Sequence, residues 1–178
     1  WYNTFKYEYD CVFYGAELLE EWEKVKESIK EYSPYDFFNK YTEELYKMDT
    51  YYRKFYVSFD SLKNKEGMID LKEKVENTYV NGYLNSLPIK WSDSLEGLSG
   101  KWGIAPIVSQ ADFYRTYIRP HIEKRERVFV IISDALRFEA AKEFCDMLNN
   151  ERKGSAEITG MVGVIPSVTK FGMASLLP

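Results

Sequence analysis

The stretch Val128-Phe-Val-Ile-Ile-Ser-Asp134-Ala-Leu-Arg137-Phe-Glu139 decides how this chain is read. Its first six residues are apolar or small and β-prone. Asp134 follows, and a helix-forming sequence carries Arg137 and Glu139 near its start. In an α/β protein such a strand is buried on both faces, and ligands gather at its C-terminal edge. A second stretch, Ile165-Pro-Ser167-Val-Thr169-Lys170-Phe-Gly-Met-Ala-Ser-Leu-Leu-Pro178, repeats the arrangement with hydroxyl residues opening a helix. Together the two βα junctions read as half of an active site. Strand 128–133, helix 137–149 and a second strand at 157–165, softened by Gly160 and Gly163, predict a right-handed βαβ unit with a parallel strand pair. Two parallel strands do not make a stable sheet alone, so further strands are expected from elsewhere.

Upstream, residues 1–87 read as a helical bundle. Leu18, Trp22, Val25, Ile29 and Tyr32 recur at helical spacing. Ser33-Pro34 supplies an N-cap followed by proline at the first helical position. Phe38, Tyr41, Leu45, Met48, Tyr52, Phe55, Phe59 and Leu62 then form one long apolar seam, read as intramolecular core. A third helix runs from about Ile69 to Ser86 with Leu71, Val75, Tyr79 and Tyr83 inward, and short polar linkers favour antiparallel neighbours. Residues 88–108, punctuated by Pro88, Gly97, Gly100, Gly103 and Pro106, read as a connector whose Trp91 and Trp102 pin it to a helical layer. Ser109-Gln-Ala-Asp112 opens a further helix, with Phe113, Tyr117 and Ile118 on its buried side and Pro120 as a kink. The fold class is therefore mainly α with a partial α/β unit, organised as a bundle and connector over 1–108 and the start of an α/β domain over 109–178.

The 178 residues carry a net charge of −4, which argues against a chain-wide electrostatic footprint for nucleic acid. The densest basic run, His121 to Arg127, is interrupted by two glutamates and reads as a solvated helix end. Aromatic residues make up 17% of the chain and are assigned to helix–helix interfaces. Cys11 and Cys145 have no metal-ligand or redox spacing, and Cys145 falls on the apolar side of its helix. A buried free thiol suits a reducing cytoplasm; no apolar run approaches the ~18 residues of a membrane span, and no stretch reads as a signal peptide. The chain begins at Trp1 and stops inside an apolar helical pattern, which reads as a piece of a longer protein.

Asp134 has two readings, a helix N-cap or a charged site residue at the strand end. Ser167 and Thr169 likewise either cap the last helix or place a hydroxyl nucleophile where helix N–H groups stabilise anionic oxygens. The one histidine, His121, precedes the strand and is not read as the base. No HxH, CxxC or clustered Asp/His set completes a metal site.

The two quoted stretches resemble the PglZ family of BREX and phage-growth-limitation anti-phage systems, over about Phe113 to Pro178. That family is similar to the alkaline phosphatase superfamily, which implies a doubly wound parallel sheet and divalent metals, usually zinc. The resemblance puts Asp134 in the role of a metal ligand and Thr169 in that of the nucleophile, itself in contact with metal. It gives the Lys170 backbone N–H to the phosphoryl oxygens. Arg137 either assists in the site or pairs with Glu139. The implied activity of an intact protein is metal-assisted phosphatase or phosphodiesterase chemistry on a phosphate-containing substrate. The implied partners are other defence-system subunits. The family's remaining Asp and His ligands have no counterpart here, so neither turnover nor tightly bound zinc is expected of these residues alone. A reading from another class is a non-catalytic helical scaffold within a defence assembly.

Overall fold

The computed structural model describes residues 2–30, 32–96, 98, 102–151 and 154–178. Of the connector, Gly97 and Gly100 lie outside the described residues. The chain divides into two compact units, Trp1–Gly97 and Leu98–Pro178.

In the first unit α1 spans Lys6–Val25. Ser33 then accepts a hydrogen bond from the Asp36 N–H, and Pro34 takes the first helical position of α2, Pro34–Lys40. A π-helical stretch, Tyr41–Leu45, joins α2 directly to α3, Tyr46–Asp60. After the turn at residues 61–65, α4 (Ile69–Glu76), a π stretch (Asn77–Leu84) and α5 (Asn85–Leu95) form another continuous rod. The predicted third helix thus runs past Ser86, with Pro88 inside it. Proline there lacks an N–H and crowds the carbonyl four residues back. That carbonyl, Leu84, is where the wide π turn ends and the regular ladder is already interrupted.

Three sets of contacts give the topology. Lys54 lies over the Tyr14 ring and Tyr51 bonds to Glu17, so α1 and α3 run antiparallel. Tyr79 reaches Asp49, Tyr83 reaches Leu45 and Trp91 meets Phe37, so the third rod runs antiparallel to the second. The third rod packs back onto α1: a Cβ on Gly15 would lie 3.1 Å from Leu71, and one on Gly82 would lie 2.9 Å from Trp22. The expected antiparallel three-rod bundle is the one observed.

Its core gathers Cys11, Leu18, Val25, Leu45, Met48, Phe55, Phe59, Leu62, Val75, Tyr79 and Tyr83. The predicted seam is this core from Leu45 onward. Before it, Phe37 is buried rather than Phe38. The π stretch accounts for the slip, because its wider turn shifts the phase of the buried face by about one residue. A buried polar node sits inside: the Asp49 carboxylate accepts from Tyr79 at 2.5 Å and from Tyr41 at 2.9 Å. Tyr52 stacks on Tyr79 with ring centres 3.8 Å apart.

The second unit departs from expectation. Ser109 caps a helical run as predicted, accepting from the Ala111 N–H. The run continues through a π stretch, Tyr114–Ile118, into α6, Arg119–Glu123, where Pro120 sits in the first turn. Helix α7 spans Phe138–Asn150 and α8 spans Thr169–Ser175. Among the described residues, however, no strand ladder forms. Residues 128–133 adopt no regular secondary structure and pair in no ladder, and Phe129 and Ile131 are 80% and 92% exposed. The predicted second strand makes one parallel rung, Ser109 with Val162, and not with 128–133. The mainly helical part of the expected fold class is therefore observed, and the βαβ unit is not. The physical reason is cooperative: a parallel strand needs neighbours on both edges and cover on both faces before it forms a sheet.

Candidate active site

The chain turns at Asp134 and Ala135. Ala135 adopts φ 57°, the left-handed region, which costs an L-residue with a Cβ on the order of 1–2 kcal/mol. Helix α7 starts at Phe138 with Arg137 in the cap position, so Asp134 does not cap it. One of the two readings of Asp134 is thereby removed. Arg137 pairs with Glu139, Nε to Oε1 at 3.0 Å. Glu139 is 1% exposed within the first turn of α7, where the helix dipole favours an anion. Of the two roles left to Arg137, the ion pair is the observed one.

Thr169 opens α8. The cap position belongs to Val168, with extended backbone and no side-chain cap bond, so neither Ser167 nor Thr169 caps the helix. The Thr169 hydroxyl instead donates to Asp134 Oδ2 at 3.2 Å, across 35 residues of sequence. The predicted proximity of these two side chains is therefore present without the sheet that was expected to create it. They line a cleft of about 480 Å³ together with Ser133, Ser167 and Gln110. Lys170, second in α8, has an exposed side chain. Its backbone N–H belongs to the first turn, where no intrahelical acceptor exists.

Two residues holding the cleft together were missed from sequence. Trp102, read as pinning the connector to a helical layer, instead donates from its indole N–H to the Gly163 carbonyl at 2.8 Å. Gln110, assigned only to a capping pattern, bonds Val164 and Gly172 from its side-chain amide. The available signal was the polar Gln110 next to a helix start, which has no unique meaning without coordinates.

A divalent cation takes four or more ligands. Asp134 and Thr169 offer two adjacent oxygens, which fit one edge of such a shell. Among the described residues no group of three or more His, Cys, Asp or Glu is placed to complete it. His121 is engaged with Glu126 at 2.5 Å, and that contact holds the Glu126 carboxyl below the usual range. Also among the described residues, no helix is long and apolar enough to cross a membrane.

Residues 113–178 match the family model of the BREX system PglZ alkaline phosphatase-like domain. Over 179 aligned residues the whole chain is 49% identical to the alkaline phosphatase-like protein PglZ of Bacillus cereus, covering 21% of that protein. Over 148 residues, 80% of the chain, it is 38% identical to the alkaline phosphatase-like protein BrxZ of Escherichia coli, covering 17% of that protein. The chain spans about a fifth of the length of these curated relatives. No solved structure matches it significantly.

Proposed function

We propose, from the premise that this chain belongs to the PglZ family, that its second unit contributes the nucleophile and one ligand to a metal-assisted phosphate-ester-cleaving site. The observation that carries the reading is the Thr169 hydroxyl donating to Asp134 at 3.2 Å inside a cleft. A carboxylate at that distance fixes the hydroxyl rotamer and draws its proton away from the attacking lone pair. Thr169 Oγ would attack phosphorus, the bond to the leaving alcohol oxygen would break, and water would later cleave the phosphothreonine ester. Asp134 and Thr169 would hold a divalent cation, zinc being the usual one in the alkaline phosphatase superfamily that the family resembles. When bound, that cation supplies positive charge to the threonine oxygen and to the substrate's anionic oxygens. The Lys170 N–H would donate to a phosphoryl oxygen, and Ser167 would line the substrate's approach. The other ligands would come from parts of the longer relatives that this chain does not span.

A specific observation favours the scaffold reading as a second possibility. On α1 and just before it, Tyr2, Phe5, Tyr9, Val12 and Phe13 are each 44–56% exposed at helical spacing, an apolar stripe suited to other subunits of a defence assembly. The Phe38–Leu62 seam is not that surface, since from Leu45 onward it is core.

The test is hydrolysis of a phosphomonoester and a phosphodiester with divalent metal by the full-length protein carrying this chain. Asp134→Ala and Thr169→Ala should each remove it. Undiminished turnover in Thr169→Ala would exclude the nucleophile assignment. Anti-phage protection retained by both variants, but lost on polar substitution of the α1 stripe, would favour the scaffold.

A further inference from the structure

We infer that Gln110 is a positioning residue that sets the register of Thr169 against Asp134. The inference takes Thr169 as the reacting group of the proposed reaction. Helix α8 has seven residues and no side-chain cap bond at its start. A helix this short does not hold its own geometry in water, so its orientation comes from bonds made to it. Gln110 supplies them from one side chain. Its Nε2 donates to the Gly172 carbonyl of α8 at 3.0 Å, and its Oε1 accepts from the Val164 N–H at 3.3 Å. Its own backbone is anchored: the Gln110 N–H donates to the Val162 carbonyl at 2.8 Å, and the Val162 N–H donates to the Val108 carbonyl at 2.9 Å. One amide therefore ties residues 162–164 to the helix whose first residue is Thr169. Each end of that amide makes a bond to backbone on either side of the cleft, which gives Gln110 a role in aiming the nucleophile.

The inference is tested in the chain itself by a double-mutant cycle read from the Thr169 methyl resonance. With Gln110 intact, Asp134→Asn should displace the Thr169 methyl cross-peak, because the two side chains touch. In a Gln110→Met background that displacement should be lost. Gln110→Glu keeps the volume and the acceptor for Val164 but cannot donate to Gly172, so it serves if the methionine variant fails to give a cooperative melt; it too should lose the displacement. Asn149→Ala is the control. Asn149 makes a comparable backbone bridge to Ala156, at 2.8 and 2.9 Å, and its loss should lower stability while leaving the displacement intact. The same displacement with and without Gln110, no displacement in either background, or its loss in Asn149→Ala as well would each overturn the assignment. The cycle does not depend on turnover, so failure of the hydrolysis proposal is seen separately.

Discussion

Asp134 and Thr169 lie 3.2 Å apart, oxygen to oxygen, Asp134 in the turn that precedes α7 and Thr169 at the first position of α8. Both side chains are exposed, so their mutual hydrogen bond contributes under about 1 kcal/mol to folding. Thr169→Ala, Thr169→Ser and Asp134→Ala should therefore leave the thermal midpoint of the chain nearly unchanged. On the reaction proposed above, activity of the full-length protein should separate them. Serine keeps the hydroxyl and should retain measurable turnover, whereas the two alanine variants should lose on the order of 1,000-fold or more. A large drop in melting temperature for either alanine variant would show that the pair is structural.

The left-handed Ala135 gives a second outcome. Ala135→Gly relieves strain of about 1–2 kcal/mol and adds unfolded-state entropy worth about 0.4–1 kcal/mol, so the strain term wins and the unit should gain up to about 1 kcal/mol. Ala135→Val should lose more than that, because a β-branched residue is least tolerated at φ 57°. Chemical denaturation of the three proteins checks the order Gly, Ala, Val. A stabilising valine would mean that the turn is not left-handed in solution.

The bundle was legible from sequence because its signal is local. Leu45, Met48, Phe55, Phe59 and Leu62 repeat at helical spacing, and Ser33-Pro34 marks a helix start by its own chemistry. Local spacing could not reveal the π stretches or the contacts between rods that accompany them. Trp22 against Gly82 and Tyr79 against Asp49 are contacts of that kind. In the second unit, the junction residues Asp134 and Thr169 were legible from the pattern of apolar run, polar residue and helix. The ladder predicted between their strands was not observed, because pairing depends on neighbours that the pattern does not contain. Gln110 escaped notice because its partners Val164 and Gly172 are more than fifty residues away.

The buried node offers a graded test. Tyr79→Phe removes a donor from a carboxylate that is 5% exposed, and should cost about 2 kcal/mol. Tyr41→Phe removes the longer bond from a half-buried ring and should cost about 1 kcal/mol. Urea midpoints compare them directly, and equal losses would contradict the geometry.

Gly82 and Gly67 should respond in opposite directions to alanine. A Cβ at 82 would stand 2.9 Å from the Trp22 ring, whereas one at 67 meets nothing within 4 Å. Alanine's helix preference is worth about 1 kcal/mol over glycine, and overpacking against an indole costs about 1–3 kcal/mol. Gly82→Ala should therefore be net destabilising and Gly67→Ala neutral or stabilising. Thermal melts followed by far-ultraviolet circular dichroism distinguish the two, and a stabilised Gly82→Ala would mean that α1 and the third rod are not in contact there.

Alkaline stability should report on Cys11. Its thiol is fully buried in the bundle core, and burial pushes its pKa up from 9.0 to about 11. The group is neutral when protonated, so the folded state favours the protonated form more strongly than the unfolded state does. The resulting stabilisation is fully present below pH 9 and is lost as pH rises from 9 through 11. A shift of that size corresponds to about 3 kcal/mol at the top of the window. Tyr51, also pushed up, to about 12 by burial and its bond to Glu17, extends the loss to higher pH. Cys11→Ala should be less stable than the parent at neutral pH because of the cavity it leaves, yet its stability should fall less steeply between pH 9 and 11. In the parent at pH 8, thiol labelling of Cys11 should be limited by opening of the bundle. Labelling at the rate of an unstructured thiol, or parallel pH profiles for the two proteins, would contradict the buried position of this residue.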